Sequence, residues 1–339
     1  MGYLLAQSGT LTVNMIYCGF FPWPKRYPTM RRTLLIITAL FLMLGTYLSV
    51  AYIPHEVAHT VKLPILKTPG KVGLYYEDFE TFPAGENLKL AGWWMPAQQA
   101  KAILVFIHGG SSNRHSDFFK CLKFYRTMVH SGVSVAAIDL RNHGDSDSDG
   151  QGIQLGRSEQ ADARAAIHWA RERDPELPIF AMGISMGGAT VIHAAAAGAD
   201  IEGLVLVDPL LDTRSAIRRA AWVQTGLPEW IFSAGAWAAT EFHGLPYGEN
   251  NALEVAAELD LPILLIQDPD DPVILATYAR ELSQRNQHVD LWEAPLIAGD
   301  HPEIPWRGRW GTHVAAFTVY PELVRDQILD FLAQNTHRR

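Results

Sequence analysis

The sequence predicts an α/β domain, a mostly parallel central sheet with helices on both faces and a small helical cap. Three observations predict it. Strand-like runs recur at 102–107, 133–138, 178–182, 203–207, 261–266 and 289–293, and several are continuously apolar, as strands buried on both faces are. Helical patterns fill most of the stretches between them. Residues 178–197 then read as one strand, a Gly-x-Ser-x-Gly turn centred on Ser185 and a helix.

In chain order, 1–32 is a short tail, 33–53 an apolar segment, 54–68 a linker and 69–335 the folded domain. Within that domain, 74–96, with Trp93 and Trp94, is expected to form antiparallel strands at one edge of the sheet. The alternation stops between 209 and 259, which reads as the cap. Its aromatic residues Trp222, Trp230, Phe232, Trp237 and Phe242 line an acyl pocket, face a membrane surface, or only pack the cap onto the core.

Residues 33–53 are almost wholly apolar and uncharged, long enough for a bilayer core of about 30 Å. Arg31 and Arg32 abut the segment, which puts the amino terminus in the cytoplasm and the domain outside, as a single-pass signal anchor. The alternative is a signal peptide cleaved near Ser49-Val50-Ala51, with Met30 as a second candidate start, leaving a secreted or periplasmic domain. Cys18 and Cys121 fall on opposite sides of the segment, so no internal disulfide is expected. The formal net charge of −8 and the lack of a basic patch in the domain argue against nucleic acid as a partner.

The serine turn carries chemistry because a hydroxyl attacks well only when it protrudes from a rigid base. Gly183 and Gly187 lack the Cβ atoms that would crowd so sharp a bend. The helix after Ser185 points its positive end at the place where an oxyanion would form. Upstream, the 102–107 strand ends in His108-Gly109-Gly110, a loop able to offer a second N–H. The oxyanion donors are therefore assigned to the backbone of Gly110 and Met186, with His108 pinning the loop. Downstream, the 261–266 strand runs into Asp268, Asp270 and Asp271, three candidates to orient a histidine. Asp208, after an earlier strand, is held in reserve. Two loop histidines follow, His301 and His313, and His313 is favoured because it leads into the final helix.

From about Pro69 to Leu332 the chain resembles the α/β-hydrolase superfamily, in its serine esterase, lysophospholipase and aminopeptidase-like group. The resemblance rests on Leu88-Lys-Leu-Ala-Gly-Trp-Trp-Met-Pro, His108-Gly-Gly, Asp139-Leu-Arg-Asn-His-Gly-Asp-Ser146, Gly183-Ile-Ser-Met-Gly-Gly, Asp270-Asp-Pro-Val and His313-Val-Ala-Ala-Phe. It ranks Asp271 ahead of Asp270 and Asp268, and the order Ser185, Asp271, His313 is that superfamily's order. Asp139–Ser146 resembles a structural turn of the group, with Asn142 at a position usually held by glycine. The long 295–312 loop before His313 is a departure.

The resemblance implies a serine hydrolase that cleaves carboxylic esters, small-molecule or lipid-like, through an acyl-enzyme and without cofactor or metal. Amide hydrolysis or acyl transfer by the same residues, or a membrane-tethered module that binds without turnover, are the alternatives. Asp at position 185 would have pointed to haloalkane chemistry instead.

Overall fold

A computed structural model describes residues 28–48, 52, 59, 61–243 and 251–336. It divides into two units at Thr46/Tyr47. The first contains all but the last residue of helix α1, Pro28–Tyr47, and the helix starts upstream of the expected Thr33. Its stretch Thr29–Tyr47 is long and apolar enough to cross a membrane. Residues 49–51 and 53, the end of the expected segment, and Cys18 lie outside the described residues.

The second unit is built on an eight-stranded sheet of order β1-β2-β4-β3-β5-β6-β7-β8. Its strands are β1 Glu77–Thr81, β2 Leu90–Met95, β3 Ala102–Ile107, β4 Val133–Ile138, β5 Ile179–Ile184, β6 Gly203–Val207, β7 Ile263–Gln267 and β8 Val289–Glu293. At one edge β1 pairs β2 and β2 pairs β4 antiparallel, as expected for 74–96, and the pairings among β3 to β8 are all parallel. β5 and β7 each run on past the expected ends, 182 and 266, because Gly183, Ile184 and Gln267 still pair with neighbouring strands.

Strand periodicity divides the core in two. Ile103, Val105 and Ile107 of β3 face helices α3 (Glu159–Arg173) and α4 (Met186–Ala196). Leu104 and Phe106 face α2 (Cys121–His130) and the carboxy-terminal α10 (Pro321–Asn335). The central strands are buried along their whole length, whereas edge strand β8 mixes half-buried and exposed residues.

The register positions the site. Ile107 is level with both Ile138 and Gly183, and Val207 with both Ile184 and Ile266. The loops after β3, β5, β6 and β7 therefore leave the sheet side by side. β3 lies between β4 and β5, so the strand order reverses there, and such a switch point opens a crevice at the strands' carboxyl ends.

Between β6 and β7 lie α5 (Thr213–Thr225), a 3-10 turn (Glu229–Ile231), α6 (Phe232–His243) and α7 (Ala252–Ala257). Asp212 caps α5 by accepting from Ser215 N–H. Phe232 is buried, while Trp230 and Trp237 are exposed. The side chain of Phe242 lies outside the described residues. After β7 and α8 (Ala276–Arg285), the 295–312 loop carries a second 3-10 segment, Pro305–Trp310, and short helix α9 (Ala316–Val319) precedes α10.

Candidate active site

Ser185 sits at φ 51°, ψ −119°, a backbone conformation that a non-glycine residue holds only when its surroundings enforce it. The enforcing contacts are steric. A Cβ on Gly183 would overlap the Gly187 carbonyl, and one on Gly187 would overlap the carbonyls of Ile107 and His108. The Ser185 N–H donates to Val207 O at 3.0 Å, and the Ser185 carbonyl accepts from Gly188 and Leu210. The bend is thus tied to β6 as well as β5.

His313 and Asp271, both buried, lie on the loops after β8 and β7. His313 Nδ1 lies 2.7 Å from Asp271 Oδ2, and His313 Nε2 lies 3.1 Å from Ser185 Oγ. A proton on Nδ1, shared with the carboxylate, leaves the Nε2 lone pair facing the serine hydroxyl. Asp271 is itself fixed, because its Oδ1 accepts from Val273 N–H at 2.7 Å and Ile274 N–H at 2.8 Å. The Trp310 ring flanks His313, with ring centroids 5.8 Å apart.

The Gly-Gly loop lies over the serine. A Cβ on Gly109 would stand 3.3 Å from Ser185 Cβ, and one on Gly110 would stand 3.4 Å from Met186 Sδ. Met186 opens α4, where N–H groups have no intrahelical partner. Two buried histidines hold this loop. His108 bridges Gly109 O, at 2.7 Å from Nδ1, and Leu140 N–H, at 3.1 Å from Nε2. His143 bridges Arg141 O and Ser111 N–H in the same way. Burial lowers the pKa of both, so each stays neutral with Nδ1 as donor and Nε2 as acceptor. Asp139 packs under the same turn, paired with buried Arg114 and accepting from Arg114 and Asp145 N–H, while Asn142 takes the left-handed φ of 64°.

The reserve residues have other hydrogen-bond partners. His301 is half-buried in its own loop, where Nδ1 accepts from Glu303 N–H at 3.3 Å. Asp270 is exposed and donates its N–H to Asp268. Asp208 is fully buried and close to Asp271 and His313, yet its oxygens accept from Asp268 N–H at 2.7 Å and Val314 N–H at 2.9 Å. Burial, then the Asp271 and Asp268 carboxylates, raise its pKa well above the usual range. Sequence reasoning missed Arg307. Its guanidinium is buried and donates to the backbone carbonyls of His313 (2.7 Å), Gly311 (3.1 Å) and Phe118. Burial lowers its pKa to about 10, still charged at neutral pH. The one signal available was a pair of arginines amid tryptophans in the 295–312 departure.

An eight-stranded sheet of this order, with a strained serine turn at its switch point, defines an α/β hydrolase. More particularly, residues 98–246 match the family model described as serine aminopeptidase, S33. The chain is 23% identical over 212 residues to the lysophosphatidylserine lipase ABHD12 of Macaca fascicularis, covering 57% of this chain and 50% of the relative. It is 26% identical over 122 residues to the monoglyceride lipase of Rattus norvegicus, covering 35% and 38%. The matched stretches thus span about half or less of these relatives' lengths. Among solved structures, an esterase of Pyrococcus furiosus superposes with a TM-score of 0.66 at 24% identity, over 83% of this chain and 99% of the other.

Proposed function

We propose that the protein is a membrane-anchored serine hydrolase that cleaves carboxylic esters through an acyl-enzyme. The observation that carries this reading is His313, with one ring nitrogen 2.7 Å from Asp271 and the other 3.1 Å from Ser185 Oγ. Nε2 takes the hydroxyl proton as Oγ attacks the ester carbonyl, and Asp271 stabilises the imidazolium that forms. The N–H groups of Gly110 and Met186 receive the tetrahedral oxyanion. Collapse expels the alcohol, which takes the proton from Nε2. Water activated by the same nitrogen then releases the acid.

Lipase and esterase relatives favour a lipid-like ester. The apolar helix Thr29–Tyr47 favours anchoring, with Arg31 and Arg32 on the cytoplasmic side and the domain beyond the membrane. The match to an aminopeptidase family model makes amide bonds the second substrate class to assay.

The test is fluorophosphonate labelling of the detergent-solubilised full chain beside hydrolysis of p-nitrophenyl acetate, butyrate, octanoate and palmitate and of amino-acid anilides. Labelling that vanishes in Ser185→Ala supports the nucleophile, and the chain-length profile assigns the acyl group. A folded wild type that neither labels nor turns over any of these esters would overturn the reading.

A further inference from the structure

We infer that Asp208 and Arg307 form a clamp on a single peptide unit, His313–Val314, and act as positioning residues for the His313 imidazole. The inference rests on the proposed role of His313. Asp208, at the end of β6, accepts the Val314 N–H at 2.9 Å. Arg307, from the 295–312 loop, donates to the His313 carbonyl at 2.7 Å. Those two groups are the amide N–H and the carbonyl of one planar unit, so the plane is gripped from both ends by side chains of separate elements.

The unit needs holding. Val314 has φ 50°, a left-handed conformation that a β-branched residue avoids. Unrestrained, it would return to negative φ, turning the peptide plane and swinging the His313 side chain away from Ser185. Each clamp residue also reaches a second loop of the site. Asp208 accepts the Asp268 N–H at 2.7 Å, which fixes the turn carrying Asp271. Arg307 donates to the Phe118 carbonyl in the segment between β3 and α2. The sequence departure at 295–312 therefore has a use, since it delivers the arginine to the histidine it precedes.

Both groups sit in the core, so removing either outright risks unfolding, and conservative variants isolate the clamp. Asp208→Asn keeps the shape but turns one of two acceptors into a donor. Arg307→Lys keeps the charge but loses the fork that spans separate carbonyls. In the full chain, each is expected to slow fluorophosphonate labelling by about 10- to 100-fold and to lower kcat with little change in KM, the effect of a reacting group displaced by about 1 Å. Because both act on one peptide, the double variant loses little more than the worse single variant.

The downfield proton resonance of the His313 Nδ1–H reads the ring's placement without any turnover, and is expected to shift or broaden in both variants. A folded fraction of both variants that labels at the wild-type rate, with that resonance unmoved, overturns the clamp even if the melting temperature falls. A wild type that shows the resonance but does not label separates failure of the hydrolase reading from failure of the clamp.

Discussion

His313 Nδ1 lies 2.7 Å from Asp271 Oδ2, while His301, the other loop histidine, spends its Nδ1 on the Glu303 N–H of its own turn. The two histidines are therefore expected to separate cleanly. His313→Ala should lower kcat for an activated ester by about 10³-fold or more, and His301→Ala should stay within about threefold. Asp271→Asn and Asp270→Asn should divide in the same way, because only Asp271 reaches the ring. Steady-state kinetics on the four variants checks this, and a severe loss in His301→Ala would reassign the base.

The serine turn is held by missing side chains. Gly187→Ala places a methyl against two backbone carbonyls of the β3 end, which cannot move without shifting the His-Gly-Gly loop. A destabilisation of about 1–3 kcal/mol is expected, together with a loss of labelling out of proportion to it. Gly150→Ala is the control. Unlike Gly187 it has positive φ, but nothing lies within 4 Å, so only the local conformational cost of about 1 kcal/mol applies. Denaturant unfolding beside labelling rates distinguishes the two, and equal labelling in both would mean that the turn tolerates a methyl.

The neutral pair His108 and His143 predicts acid sensitivity. Burial lowers both pKa values below 6.5, so in acid the unfolded chain binds protons that the folded chain refuses. Their stabilisation is complete above about pH 6.5 and is lost as pH falls toward the folded pKa values. Each histidine contributes at most about 1.4 kcal/mol per pH unit in that window. His143→Gln should flatten the profile below about pH 6.5. A slope equal to the wild type's would show that protonation of His143 is not what limits acid stability.

What the sequence made legible follows from what is local. Continuous apolar runs such as Ala102–Ile107 and the Gly-x-Ser-x-Gly bend around Ser185 depend on residues adjacent in the chain, and both were readable without coordinates. Ser185 and Asp271 stood out because they end or follow such elements, and His313 because it leads into the final helix; the fold brings the three within hydrogen-bond distance. Asp208 was legible only as an acid after a strand, since its partners, Asp268 and Val314, are distant in sequence. Arg307 was legible only as one of two arginines amid tryptophans in the 295–312 loop. Its role depends on three backbone carbonyls brought together by the fold, and backbone carbonyls leave no trace in side-chain identity. The extra lengths of β5 and β7 were missed for a related reason, because pairing with a neighbour, not apolarity, carries them to Ile184 and Gln267.

Cys121 opens α2 among Phe119, Phe124 and Tyr125, fully buried, and burial raises its thiol pKa far above the ordinary value. A thiol so placed forms almost no thiolate at neutral pH and offers a reagent no approach. In a Cys18→Ser background, Ellman's reagent should therefore find no reactive thiol in the native protein and one after denaturation. The reaction then becomes a clock for opening of the α2 face, which underlies the loop between β3 and α2 that Arg307 grips through Phe118. Native-state reaction at the rate of a free thiol would mean that this face opens readily. A slow rate that rises in Arg307→Lys would show the arginine steadying the face as well as the histidine.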